Sequence, residues 1–157
     1  MGRGNDQLVR AGVSIEGLLR RPVVLRGIRL GRPTDVALDA ATLRAVGFDV
    51  RCGDGVDRFL PLPAARLHED EIAVGSALML LDEADATFYR RGIRRFGTLV
   101  GAQVERGGEA LGVLEDVLLE PEGSIAALRV AVDGRTEVVP YDGSLTIGGS
   151  GVAAPVG

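Results

Sequence analysis

The sequence predicts an all-β protein: two small β-barrels in tandem, joined by a short helical linker. Three observations predict it. First, the chain repeats. At an offset of 81 positions, Gly112 against Gly31, eight of the 21 positions from Leu18 to Leu38 are identical. They are Leu18/Leu99, Val23/Val104, Gly27/Gly108, Leu30/Leu111, Gly31/Gly112, Asp35/Asp116, Val36/Val117 and Leu38/Leu119, where unrelated stretches share roughly one or two. Second, turn signals recur at short intervals between apolar runs, the spacing of closed β units. Third, the composition is aliphatic: 46% of residues are hydrophobic, only 4% are aromatic, and Trp is absent.

The elements follow in order. Residues 1–13 read as a loose polar terminus, followed by repeat 1 over 14–81, a linker over 82–93 and repeat 2 over 94–157. Ser14 is placed to cap a short turn of helix through Leu19. Val23-Val24-Leu25 is a short apolar strand, and Arg26-Gly27 a turn. Its counterpart Arg106-Gly107-Gly108-Glu109 is a clearer hairpin turn. A strand over Leu30 to Asp39 matches one over Leu111 to Glu120. A third pair is Ala45 to Cys52 and Ile125 to Val132, the latter ending in the turn Asp133-Gly134. A fourth pair, Arg58 to Leu60 and Glu137 to Val139, stops at Pro61 and Pro140, where a missing N–H breaks no ladder bond. Ala65 to Leu67 and Ile72 to Val74 flank the acidic turn Glu69-Asp70-Glu71. Leu145 to Ile147 and Val152 to Ala154 flank the Gly-rich turn Gly148 to Gly151. Between the repeats, Asp82 to Gly92 has a capping Asp, acids in the first turn, arginines in the last and a terminal Gly. The four-residue spacing of Ala84 and Phe88 predicts that they share the docking face of this helix. Each copy is small enough to be marginal alone, so the two are expected to share an interface.

Charge and composition exclude several function classes. Net charge is −4 over 157 residues, which lacks the electrostatic footprint of a general nucleic-acid binder. All 18 basic residues are Arg, consistent with GC-rich codons. Cys52 is the only cysteine, so no internal disulfide is expected. The N-terminus has no apolar core of a signal peptide, and no run approaches a membrane span. A cytoplasmic location is expected.

The repeated pattern itself is Leu-Leu or Leu-Val, a Val strand, an acidic or Gly turn, then Leu-Gly-x-x-x-Asp-Val-x-Leu-Asp/Glu. Leu30-Gly31 to Asp39 and Leu111-Gly112 to Glu120 both carry it. From about Ser14 onward the chain resembles the PRC-barrel family. That fold is shared by the photosynthetic reaction centre H subunit and the C-terminal half of the bacterial ribosome maturation and 16S rRNA-processing factor. The resemblance implies a small barrel scaffold that meets other macromolecules, and it implies no catalysis. The chain lacks the membrane helix of the first relative. It carries a second copy where the other has a domain that binds a ribosomal protein. The expected function is therefore a non-catalytic protein-interaction or scaffolding module with an unidentified protein partner. The alternative is a nucleoprotein role on RNA or the ribosome. Homo-oligomerisation is left open by so aliphatic a chain.

Candidate sites are few, and no catalytic, cofactor or metal residue is assigned. Asp35/Asp116 and Asp39/Glu120 recur in both copies, so they read as turn and strand-end carboxylates serving nearby backbone N–H groups. His68 with Glu69, Asp70 and Glu71 offers oxygens to a hard cation, but consecutive turn residues diverge, and a solvated acidic turn is expected. One His and one Cys do not make a conventional zinc site. Cys52 aligns with Val132 and reads as a small hydrophobe. Gly148 to Gly151 lacks the following helix that a phosphate cradle needs. The one candidate partner-binding patch is Arg90, Arg91, Arg94 and Arg95, beside Phe88, Tyr89 and Phe96. Its alternative reading is a helix C-terminus and a solvated linker. Protein-specific function is expected where the copies differ.

Overall fold

A computed structural model describes residues 12–148 of the chain. The N-terminal segment through residue 11, most of the Gly-rich turn and the strand expected at 152–154 lie outside those residues. Strand dominates, in two curled sheets. In chain order the strands are β1 (Val13–Ser14), β2 (Val23–Leu25), β3 (Ile28–Asp39), β4 (Ala45–Cys52), β5 (Asp57–Pro61), β6 (Ala65–Leu67), β7 (Ile72–Val74), β8 (Ile93–Arg95), β9 (Gln103–Arg106), β10 (Glu109–Leu119), β11 (Ile125–Val132), β12 (Arg135–Pro140) and β13 (Leu145–Ile147). Three short helices intervene: α1 (Ile15–Leu19), α2 (Glu83–Ala86) and α3 (Phe96–Leu99).

The first sheet runs β5-β4-β3-β2-β7-β6 and the second β12-β11-β10-β9-β13. Both centre on a long strand that carries the repeated Leu-Gly-x-x-x-Asp-Val-x-Leu. The repeated glycine is a packing requirement. A Cβ on Gly31 would lie 2.6 Å from the Arg51 carbonyl oxygen, and one on Gly112 would collide with that of Ala131. On the sides facing β4 and β11, the long strands carry two irregularities each at equivalent places, Pro33/Asp35 and Ala37/Leu38 in β3, Leu114/Asp116 and Leu118/Leu119 in β10. Such bulges bend a strand and re-aim its side chains, which curls each sheet over its apolar face. The hairpin joining β9 to β10 turns on Gly107 and Gly108, both at positive φ, as a two-residue turn of this hand requires.

The two halves exchange strands. β1 precedes the first sheet in sequence yet pairs with β10 of the second, Val13 opposite Leu119 and Ser14 opposite Leu118. β8 precedes the second sheet yet pairs with β3 of the first, Ala37 opposite Arg95 and Asp39 opposite Ile93. Each exchanged strand leads directly into a short helix, α1 or α3. These helices plug one continuous core: Ile15, Leu18, Phe96 and Leu99 are buried with Val36, Leu38, Phe48, Val117, Leu119 and Leu128. A third crossing links Ala45 N–H to the Gly123 carbonyl at 2.8 Å. The shared interface expected from the small size of each copy is thus a common core.

The linker differs from the sequence expectation. The helix expected over Asp82 to Gly92 spans only Glu83–Ala86, and turns fill the rest. Asp82 caps it as expected, accepting from Asp85 N–H. Because the helix is a single turn, Ala84 and Phe88 do not form its docking face; both are exposed. Ala86 and Tyr89 dock instead, in a satellite cluster with Ala37 and Phe59. The ends of the two sheets differ from each other. β7 pairs with β2 in parallel, while β13, the counterpart of β6, pairs with β9 antiparallel.

Candidate functional site

The repeated aspartates lie beside the bulges, and each reaches the helix supplied by the other half. Asp116 is 3% exposed. Its Oδ2 accepts from the Ser14 hydroxyl, and its Oδ1 accepts from Glu16 N–H at 3.1 Å and Val117 N–H at 2.8 Å. Ser14 in turn accepts from Gly17 N–H at 3.0 Å. Asp35 is half-buried and accepts from Gly97 N–H at 2.9 Å and Val36 N–H at 2.8 Å. Each carboxylate thus satisfies orphan donors at a helix start, where negative charge is favoured. The expected backbone-serving role holds; its reach into the opposite half was not legible from spacing. Asp39 accepts from Ala41 and Thr42 N–H in its turn, and the Thr42 bond foremost lowers its pKa.

The two aspartates differ in the residue opposite. Asp116 faces Arg129, whose Nη1 lies 3.7 Å from Oδ2. Asp35 faces another carboxylate, Asp49. Like charges directly opposite destabilise a sheet, and the linker supplies the compensation. Arg95 Nε donates to Asp49 Oδ2 at 2.6 Å, and Arg90 Nη2 lies 3.4 Å from Oδ1. Arg90 also pairs with Glu83 at 3.1 Å. The Asp49 carboxylate, more than any other group, pushes the Arg95 pKa up.

The four candidate arginines are therefore not one free patch. Arg90 and Arg95 are tied to Asp49, while Arg91 is exposed and Arg94 half-buried. Phe88 is 76% exposed and meets Tyr89 edge-on, and Tyr89 stacks on buried Phe59.

Elsewhere, His68, Glu69 and Asp70 are exposed, and His68 N–H bonds the Glu71 carbonyl across the turn. Among the described residues no group of three His, Cys, Asp or Glu is placed to hold a metal ion. No helix among them is long and apolar enough to cross a membrane. Cys52 is a buried free thiol, and Gly148 is the only residue of the Gly-rich turn that is described. One basic cluster is not apparent from the sequence: Arg29, Arg32, Arg51 and Arg58 line adjoining cavities where β3 begins and β4 ends. Its signal was strand register, since Arg32 and Arg51 are opposite only once β3 and β4 are paired.

No family model matches the chain, and no curated protein matches it.

Proposed function

We propose that the protein is a non-catalytic interaction or scaffolding module of PRC-barrel kind. In this reading two barrel-like copies are joined by a helical linker and serve a protein partner in the cytoplasm. The observation that carries it is the linker surface. Phe88 stands in solvent beside Tyr89, with the exposed Arg91 close in sequence. Aromatic and arginine side chains dominate the energetics of protein interfaces. In this reading the partner covers Phe88 together with Tyr89 and Arg91. The recurring carboxylates support the same reading, because Asp35 and Asp116 are engaged in holding helix starts.

Affinity capture with the full chain tests it. Wild type should retain a defined partner that Phe88→Ser with Arg91→Glu loses, while the variant keeps its melting temperature. The same partners on both baits overturn the assignment of this surface. The nucleoprotein alternative draws on the charge of Arg91 and Arg94, and predicts salt-sensitive co-sedimentation with ribosomal subunits. No association at low salt ends it.

A further inference from the structure

The groove where β3 begins and β4 ends carries an inference beyond the linker surface. Two adjoining cavities, of about 380 and 220 Å³, share Arg29, Leu30, Cys52 and Gly53. Together they gather four arginines: Arg29, Arg32, Arg51 and Arg58. Asp57 pairs with Arg51 and Asp54 with Arg58, and each pairing lowers the aspartate's pKa. Among the described residues Arg29 and Arg32 have no ion-pair partner.

Two features say that Arg29 and Arg32 are not architectural. Arg32 stands directly opposite Arg51 across β3 and β4, and Arg51 has Asp57 opposite it on β5, so Arg32 is the member of the pair left without a counter-charge. The second sheet manages without any of these charges. At the equivalent register positions it has Ala110, Val113, Ala131 and Glu137. The fold therefore does not require arginine there, and an acidic chain concentrates positive charge at one mouth.

The lining also has an apolar part: Leu30, Ala77 and Leu80. Leu78, 87% exposed, and Met79 belong to the same single turn as Ala77. Guanidinium forks match phosphate oxygens two at a time, and one phosphate has enough acceptors for two guanidiniums. The volume suits a small molecule. We propose that this groove binds a phosphate carrying an apolar body, through Arg29 and Arg32, with the body against Leu30, Ala77 and Leu80. A soluble organic phosphate and a phospholipid headgroup share that chemistry.

Amide NMR titration of the full chain with hexyl phosphate and with inorganic phosphate tests it. Hexyl phosphate should give saturable shifts at Cys52 and Gly53, and inorganic phosphate weaker shifts at the same amides. Arg29→Ala with Arg32→Ala should weaken hexyl phosphate binding at least about tenfold, with unchanged melting. Co-sedimentation with phosphatidylglycerol vesicles assigns the source. Pelleting that the double variant abolishes points to a lipid headgroup, and its absence beside hexyl phosphate binding points to a soluble ligand. Absence of saturable hexyl phosphate binding overturns the proposal, as does binding unchanged in the double variant. So does a response to polyglutamate alone, which would mark an acidic-protein surface.

Discussion

Asp116 and Asp35 occupy one position of the repeat, yet they live in different environments. Asp116 is buried, accepts three hydrogen bonds and has its cation on its own sheet, Arg129. Asp35 is half-buried, accepts two, and faces Asp49, which draws Arg90 and Arg95 from the linker. The two copies share the task and differ in charge balance. In both halves a carboxylate grips the helix start contributed by the other half. In one half the counter-charge is internal, and in the other it ties the linker down. Half of the arginine cluster is therefore architectural.

Several measurements would break or sharpen that comparison. The largest effects belong to the helix plugs. Leu18→Ala and Leu99→Ala each empty a fully buried site in the common core, and each should cost about 2–5 kcal/mol in chemical denaturation. Similar costs support equivalence of the two plugs, and a negligible cost for either would break it. Next come the aspartates. Asp116→Ala strands buried donors and should cost about 3 kcal/mol, against about 1 kcal/mol for Asp35→Ala, the range of an ordinary cap. Equal costs would show that burial does not distinguish them.

Smaller still is the linker tie. A double-mutant cycle on Asp49 and Arg95 should give a coupling of about 1 kcal/mol, and one on the exposed Glu16–Arg20 pair about 0.3 kcal/mol. A null result at Asp49–Arg95 would return Arg95 to the free patch. The smallest effect is in acid. The Thr42 backbone N–H holds the Asp39 carboxyl below its usual range in the β3–β4 turn, and Ser124 does the same for Glu122 in the β10–β11 turn. A pKa lowered on folding adds stability that is present above the unfolded value, about 4, and is lost as pH falls through the folded one. Carboxyl NMR titration should place both midpoints below the usual values. Midpoints at or above them would contradict the hydrogen bonds.

Much of the fold was legible. β11 was legible to the residue because a mostly apolar run ends at the turn Asp133-Gly134, and β4 was legible through its match to β11 in the repeat. The turns at Gly107-Gly108 and Asp133-Gly134 were legible through their conformational demand. The strand exchange was not. Val13–Ser14 and Ile93–Arg95 are too short to show a period, and their partners are set by which long strand has a free edge. The extent of α2 was overread because caps and charges mark where a helix can start, while packing of Ala86 and Tyr89 decides where this one stops. At the linker, sequence adjacency grouped four arginines, but Asp49, some 40 residues away, decides which of them are free.

The central claim is that reciprocal exchange makes the two halves one cooperative unit. Scanning calorimetry of the full chain tests it directly. The predicted result is a single transition whose calorimetric and van't Hoff enthalpies agree, and which Asp35→Ala and Asp116→Ala each move as a whole. Two resolved transitions, one shifted only by Asp35→Ala and the other only by Asp116→Ala, would contradict it.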